Sequence, residues 1–314
     1  MTAHQRVVYF NGRFVSEAEA RLSIYDSALT LGEMAFEVTR TCGHQPFRLR
    51  EHLERLFHSM SVMRIEPMLS IDELQDLTLE TLRLNLQSEP ADVDWNIIHN
   101  VSPGPSAAFR EAFSHEEIRP TVVISCFPLE VRLAALAPAY DRGLDLVVPP
   151  QRSLPGELLD SSIKTRSRLH YQLANLQAHE KSPGATAVLV DSDGHLTEGT
   201  SGNVFLVQAG RLLTPCPRNL LPGVTRHVVL ELADRLGIPS GERDLTSADA
   251  AAADEIFLTS TSIGLLHGRT WEGRLIRDGR LGPLTARLRA AFHAEVRLDL
   301  AAQARLYASR RTAS

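Results

Sequence analysis

Asp193-Gly194-His195-Leu196-Thr197-Glu198-Gly199-Thr200-Ser201-Gly202-Asn203-Val204-Phe205 is the stretch around which the rest of the chain arranges itself. Residues 186–191 and 195–198 flank the turn composition Ser192-Asp193-Gly194. Residues 203–208 and 211–214 flank Ala209-Gly210, so two β-hairpins follow one another. Glu198 ends the first hairpin and runs into a Gly, Thr, Ser, Gly loop. A carboxylate there is placed to form a salt bridge, to cap, or to bind a ligand, and the residues alone leave the three open. Downstream, Leu221-Pro222-Gly223-Val224-Thr225-Arg226 opens a helix over 225–236, and 255–259 is a short strand. Upstream, 144–148 is a strand, and 166–180 is a helix stopped by Ser182-Pro183-Gly184. A long terminal helix is expected over 284–307.

The N-terminal part has the same mixed texture. Asn11-Gly12 between residues 7–10 and 13–15 is a two-residue hairpin signal. Residues 34–42 form a strand ending at Gly43, and 46–48 pair back with it. Leu53, Leu56, Phe57, Met60 and Met63 follow the helical period, and 71–86 repeats it behind Ser70 and Glu73, a capping box. Residues 95–101 and 121–127 are strands, separated by a polar loop over 102–119 that is expected to be mobile. Strands interspersed with helices in both halves make the fold class α/β (α+β). The expected domains are 1–130, a linker over 131–142, and 143–314.

Composition removes several function classes. Net charge is −5, which gives no electrostatic support to a nucleic-acid or polybasic membrane partner. The three cysteines, Cys42, Cys126 and Cys216, form no CxxC pair, so neither a disulfide framework nor a metal site is expected. No apolar run reaches the roughly 18 residues of a membrane span, and the N-terminus lacks a signal-peptide core, so the protein reads as cytoplasmic. Of 33 basic side chains only two are lysines, Lys164 and Lys181. Chemistry that needs a side-chain amine therefore has two candidates. Lys181 lies at a helix C-terminus, where a cation is a solvated complement to the dipole. Lys164 follows Ser161-Ser162-Ile163 just before a helix, a place equally suited to an exposed charge. The helix entry at Gly223 offers free backbone N–H groups to an anion, and Leu258-Thr259-Ser260-Thr261-Ser262, which ends a strand in hydroxyls, is a second anion cradle.

Taken together and in order, these segments resemble the class IV aminotransferases, pyridoxal-phosphate enzymes of fold type IV. That group contains branched-chain aminotransferases, D-amino acid transaminases, R-selective amine transaminases and aminodeoxychorismate lyases. The resemblance runs from the Asn11-Gly12 hairpin through Gly32-Glu33-Met34-Ala35-Phe36-Glu37-Val38-Thr39-Arg40, His52-Leu53-Glu54-Arg55-Leu56 and Lys164. It continues through Thr197-Glu198-Gly199 and Asn203-Val204-Phe205 to Leu221–Arg226 and Thr259-Ser260-Thr261. It implies a smaller N-terminal α/β domain and a larger C-terminal domain with a β-barrel-like sheet core. It also implies pyridoxal 5'-phosphate as cofactor and Lys164 as the Schiff-base lysine and proton shuttle. Glu198 is implied as the partner of the ring nitrogen. Arg55, Gly223, Val224, Thr225, Thr261 and Ser262 are implied around the phosphate. For Arg55, ordinary charge pairing on a helix face is the competing reading. Arg166 and Arg168 are cations placed to favour a neutral Lys164 amine.

The implied activity is amino transfer between an amino acid, branched-chain-like or D-configured, and a 2-oxo acid. The implied assembly is a homodimer with shared active sites, in which the 102–119 loop lies over an active site. The alternative is an aminodeoxychorismate lyase-type enzyme releasing pyruvate, suggested by Ser167-Arg168-Leu169 after the lysine. Substrate contacts are expected from Leu31, Phe36, Arg40, His99 and Arg168. Leu31 stands where branched-chain enzymes usually carry Tyr, and Lys164-Thr165-Arg166-Ser167 departs from their Gly-Gly-Asn-Tyr-like stretch. The segment 98–105 lacks the arginine that D-amino acid transaminases use to grip a carboxylate. Arg40 is the remaining arginine for that contact, with an ion pair to a residue such as Glu37 as its structural counterpart. His99 is read mainly as a core histidine, and His170 and His179 as helix-surface residues.

Overall fold

The computed structural model describes residues 6–114 and 118–312. The chain forms two compact units. The first holds the residues up to Leu129 together with Ile163–Ser167, and the second holds Glu130–Ser162 and everything from Arg168 onward. Residues 131–142, expected as a linker, are part of a helix of the second unit. The five-residue return into the first unit was not foreseen in the sequence.

In the first unit β1 (Val7–Phe10) and β2 (Arg13–Ser16) make the expected hairpin, and a short helix α1 (Ser27–Thr30) follows. Then come β3 (Ala35–Cys42), β4 (Gln45–Pro46), α2 (Leu49–Val62), α3 (Ile71–Asn85), β5 (Trp95–Ser102) and β6 (Thr121–Pro128). The capping box of Ser70 and Glu73 opens α3 as the sequence predicts. The strands form one sheet in the order β2-β1-β6-β5-β3-β4. Side chains alternate across it. Ala35, Trp95, Ile97 and Val101 face Leu53, Leu56 and Met60 of α2 and Leu74 of α3, forming the apolar core of this unit. The 102–119 loop carries a short 3-10 helix, Ala107–Ala112, and His115–Glu117 lie outside the described residues.

Two polar residues occupy the same core-facing side. Glu37 of β3 lies opposite His99 of β5. Glu37 receives two hydrogen bonds of 2.8 Å from Nε and Nη2 of Arg55, and His52 Nδ1 stands 3.2 Å away. Burial alone would raise the Glu37 pKa, but Arg55 and His52 outweigh it and hold the carboxyl well below its usual range. His99 Nε2 shares a 2.8 Å hydrogen bond with Thr78 Oγ1 of α3, and burial pushes its pKa down to about 4.

The second unit begins with α4 (Glu130–Arg142) and β7 (Leu144–Val147). Next are α5 (Leu169–Lys181), β8 (Thr186–Val190), β9 (Leu196–Gly199), β10 (Gly202–Gln208), β11 (Arg211–Pro215), α6 (Val224–Arg235) and β12 (Ser240–Arg243). It ends with α7 (Ser247–Ala251), β13 (Glu255–Ser260), β14 (Gly264–Trp271), β15 (Arg274–Leu275), α8 (Pro283–Glu295) and α9 (Leu300–Thr312). Strand pairing runs β10-β13-β14-β7-β8-β9, and β9 pairs back with β10, so these strands close into a barrel. The closing register pairs Gly202 with Gly199 and Asn203 with Glu198. On its other side β10 packs tightly against β13, where a Cβ on Gly202 would fall 2.1 Å from the Thr259 carbonyl oxygen.

Two helix boundaries differ from the sequence reading. The helix expected over 166–180 starts only at Leu169, because Lys164, Thr165 and Arg166 are extended against Met34–Phe36. The helix expected over 284–307 is two helices. Arg297 turns left-handed at φ 53°, Leu298 N–H closes onto His293 O, and Asp299 Oδ1 caps Ala301 and Ala302. No helix among the described residues is long and apolar enough to cross a membrane.

Gly202→Ala is expected to cost about 3 kcal/mol by forcing β10 from β13, read as a lower urea midpoint. The unfolded chain protonates His99 near its reference pKa of 6.5, whereas the folded chain does so only near 4. Stability from this group is thus full above about pH 6.5 and falls as pH drops through that window, by on the order of 3 kcal/mol. His99→Gln should flatten the fall relative to wild type, measured as unfolding free energy from pH 7 to pH 4.

Candidate active site

The first unit fixes Lys164 through its backbone. Phe36 N–H donates to Lys164 O at 2.9 Å, Arg166 N–H donates to Met34 O at 2.9 Å, and Thr165 pairs with Ala35 in an antiparallel bridge. These bonds use the edge of β3 that β4 leaves uncovered, since β4 pairs only Thr41 and Cys42. Lys164 N–H also donates to Ser59 Oγ at 3.0 Å, and Ser59 Oγ in turn donates to the carbonyl of Arg55, one helical turn earlier. Ser59 therefore ties Lys164 to the same helix that carries Arg55. The Lys164 amine stands 5.0 Å from the centre of the Phe36 ring.

Other expected residues of this unit are placed differently. Arg40 is buried, donates through Nε to Thr41 O at 2.9 Å, and lies 3.7 Å from Asp94. Its ion-pair partner is Asp94, not Glu37, whose carboxylate is taken by Arg55 and His52. His99 points into the core beneath α3. Leu31 is exposed at the end of α1. The structure thus places the Lys164 amine beside Phe36 and ties the Lys164 backbone to the helix that carries Arg55, while Arg40 and His99 are engaged in the buried layer.

The second unit carries Glu198 on β9, buried at the barrel closure. Tyr171 of α5 donates its hydroxyl to Glu198 Oε1 at 2.7 Å, and Asn203 donates Nδ2 to Oε2 at 3.2 Å. Burial, and then the Glu198 charge, push the Tyr171 pKa up, so the phenol remains a neutral donor. Arg168 stacks over the Tyr171 ring at 4.2 Å and donates to Thr200 O at 2.6 Å, holding the turn after Glu198. Asn203 Nδ2 also donates to Leu221 O at 2.9 Å. The helix entry at Gly223 follows, where no side chain caps α6. A Cβ on Gly223 would fall 2.1 Å from Asn203 Oδ1. Glycine is therefore required at this N-cap, and the first amides of α6, at Val224 and Thr225, keep the anion-binding character of a helix N-terminus. Thr261 and buried Ser262 lie in the turn after β13, and the Oγ1 of Thr259 is buried without a hydrogen-bond partner.

Each unit by itself suits one part of a phosphorylated pyridine aldehyde: the first holds an amine on a fixed backbone, and the second holds a buried carboxylate with two neutral donors and a helix entry open to an anion. Sequence reasoning missed Glu37, Ser59 and Tyr171 and passed over Asn203 as a site residue. Glu37 had a usable signal, because a carboxylate two residues from Ala35 and Thr39 falls on the core side of the strand. Lys181 is paired with Glu272, which accounts for the other amine.

The amino-transferase class IV family matches residues 34–271. A putative branched-chain-amino-acid aminotransferase of Methanocaldococcus jannaschii is 31% identical over 91% of this chain and 94% of its own length. The branched-chain-amino-acid aminotransferase of Escherichia coli K12 is 30% identical over 91% of each. A crystal structure of the E. coli branched-chain amino acid aminotransferase superimposes with a TM-score of 0.82 at 28% identity, over 92% of this chain and 94% of that one. That of the T.th. branched-chain enzyme complexed with N-(5'-phosphopyridoxyl)-L-glutamate has a TM-score of 0.81 at 25% identity, over 94% and 95%. With the family matched over most of its length, this chain belongs to the class IV aminotransferases and is a pyridoxal 5'-phosphate-dependent transaminase.

Proposed function

We propose that the protein transfers the amino group of a branched-chain amino acid to a 2-oxo acid, with Lys164 as its reacting amine. The observation that carries the reading is the backbone-fixed Lys164 amine beside Phe36, in a chain whose second unit keeps the carboxylate and helix-entry motifs of the family. The relatives named as branched-chain aminotransferases support the substrate class, and they do not favour the lyase alternative. When bound, the cofactor supplies an electron-withdrawing ring for the carbon that loses its proton. Lys164 Nζ would hold the cofactor through its carbonyl carbon and, as a free amine, would take up the proton that leaves substrate Cα. Glu198 holds a proton on the ring nitrogen, and Tyr171 and Asn203 keep its carboxylate in one orientation. Val224 and Thr225 N–H groups, Arg55, and the hydroxyls of Thr261 and Ser262 receive the phosphate, with Glu37 fixing the Arg55 fork.

The active assembly in this reading is a homodimer. Ile24, Leu29 and Leu31 are each about two-thirds exposed, and the Tyr25 ring lies tilted against Phe109 at 5.2 Å and edge-on to Phe113 at 5.6 Å. An apolar patch of this kind marks a protein contact, and a second copy of the chain is the occupant that the family resemblance implies.

Borohydride reduction of the wild-type holoenzyme followed by peptide mass analysis should place the cofactor on Lys164. Lys164→Ala should lose that adduct, and leucine–2-oxoglutarate transamination should fall by about ten-thousandfold. An adduct elsewhere, or turnover retained in the variant, overturns the assignment. Light scattering should give twice the chain mass for wild type, and Ile24→Glu with Leu29→Glu should shift it toward monomer.

A further inference from the structure

Arg166 stands two residues beyond Lys164 in a segment that is extended against β3. In an extended chain, residues two apart project to the same side. Thr165, between them, is buried and donates its hydroxyl to Met34 O at 3.2 Å, so Lys164 and Arg166 share the opposite side. Phe36 lies on that side too, and both cations lean on it. The Lys164 amine is 5.0 Å from the ring centre and the Arg166 guanidinium carbon is 3.8 Å from it. The two charges are therefore no more than about 9 Å apart, the two distances laid end to end. Asn100, paired opposite Phe36 in the β3–β5 ladder, accepts a 2.8 Å hydrogen bond from Arg166 Nε.

This is an unusual amount of restraint for an exposed arginine. A surface guanidinium on a flexible stem ordinarily samples many rotamers. Here the ring face fixes its plane and Asn100 fixes its rotation, so the entropy of ordering it is lost before any ligand arrives. A planar cation held in one orientation beside a reactive amine is suited to receive a carboxylate through paired hydrogen bonds. The other candidates in this unit are removed by burial, since Arg40 is engaged with Asp94 and Thr41 and His99 with Thr78.

We propose that Arg166, stacked on Phe36 and oriented by Asn100, receives the carboxylate next to the reacting carbon and thereby selects amino and 2-oxo acids over uncharged amines and carbonyls. This rests on the aminotransferase reading with Lys164 as the reacting amine. Arg166 is the specificity-determining residue, and Asn100 is its positioning residue.

The test uses the cofactor-loaded protein and two probes, 4-methylvalerate (the leucine skeleton without its amine) and its uncharged amide. Binding is followed through the cofactor absorbance. Arg166→Gln should raise the dissociation constant for 4-methylvalerate by about tenfold to a hundredfold, the range for losing a charge-assisted hydrogen bond. Its preference for the acid over the amide should collapse. In turnover of leucine the loss should fall on KM more than on kcat. Asn100→Ala, which loosens the guanidinium but keeps its charge, should show a smaller rise in the same constant. Wild-type affinity and wild-type acid-over-amide preference in either cofactor-loaded variant overturn the proposal. If Arg166→Gln does not fold, Asn100→Ala decides alone. Failure of the underlying reading is seen separately, as wild-type protein that takes up no pyridoxal phosphate on Lys164.

Discussion

The side-chain amide of Asn203 is the contact on which the second unit's site depends. It sits at the register where β9 and β10 close the barrel, directly opposite Glu198. One nitrogen bonds the Glu198 carboxylate and the Leu221 carbonyl, while its oxygen occupies the space a Cβ on Gly223 would need. A single planar group thus sets the carboxylate and the start of α6 with respect to each other. Asp at this position would bring a second negative charge against Glu198, and Leu would leave the carboxylate and the carbonyl without their donor, each a costly loss in a buried setting. Gly202 is required by its other neighbour, because a Cβ there would fall 2.1 Å from the Thr259 carbonyl oxygen of β13, while a Cβ on Gly199 would press on the Gly202 carbonyl oxygen at 3.2 Å.

The first unit solves a similar problem with backbone instead of side chain. Lys164 lies on a five-residue return of the chain that completes the open edge of β3. An edge strand offers unpaired N–H and C=O groups, and a short visiting segment satisfies them without a full strand. The lysine backbone is held by Phe36 on one side and Ser59 on the other, and its amine stands 5.0 Å from the centre of the Phe36 ring. That combination suits a group that has to bind, release and move a proton within one site. It also makes the order Lys-x-Arg meaningful, since pairing turns a spacing of two into a shared face.

Much of this was readable in the sequence where local chemistry dominates. The Asn11-Gly12 and Ala209-Gly210 turns, the Ser70 capping box and the apolar stripes of α2 and α3 are short-range signals, and they appear where expected. The misplaced start of α5 shows the limit. Residues 166–168 have no strong objection to helix, but pairing with β3 outweighs weak local preference. The split at Arg297 failed for a related reason. Its stop signal is a left-handed residue that is not glycine, while the restart signal at Asp299 is plain only once the break is known. The proposed roles of Lys164 and Glu198 were readable because both lie in motifs. Tyr171 was not, because its role depends on which face of α5 meets β9. Arg40 was assigned the wrong ion-pair partner because strand alternation was not applied to Glu37.

The charges beneath the first unit's sheet invite a separate explanation. Glu37, Arg55 and His52 lie in a layer otherwise filled by Leu53, Leu56, Met60 and Trp95. Replacing such a buried group by apolar residues is often neutral or stabilising, so stability alone does not account for it. What an apolar replacement would lose is direction. A guanidinium engaged through Nε and Nη2 by a buried carboxylate has its plane and position fixed from behind, on the helix that also anchors Lys164 through Ser59. Burial lowers the His52 pKa, and the adjacent Glu37 carboxylate opposes that shift. The cluster therefore spends core area on orientation, and the residue it orients is the arginine that the proposed reaction assigns to an anion.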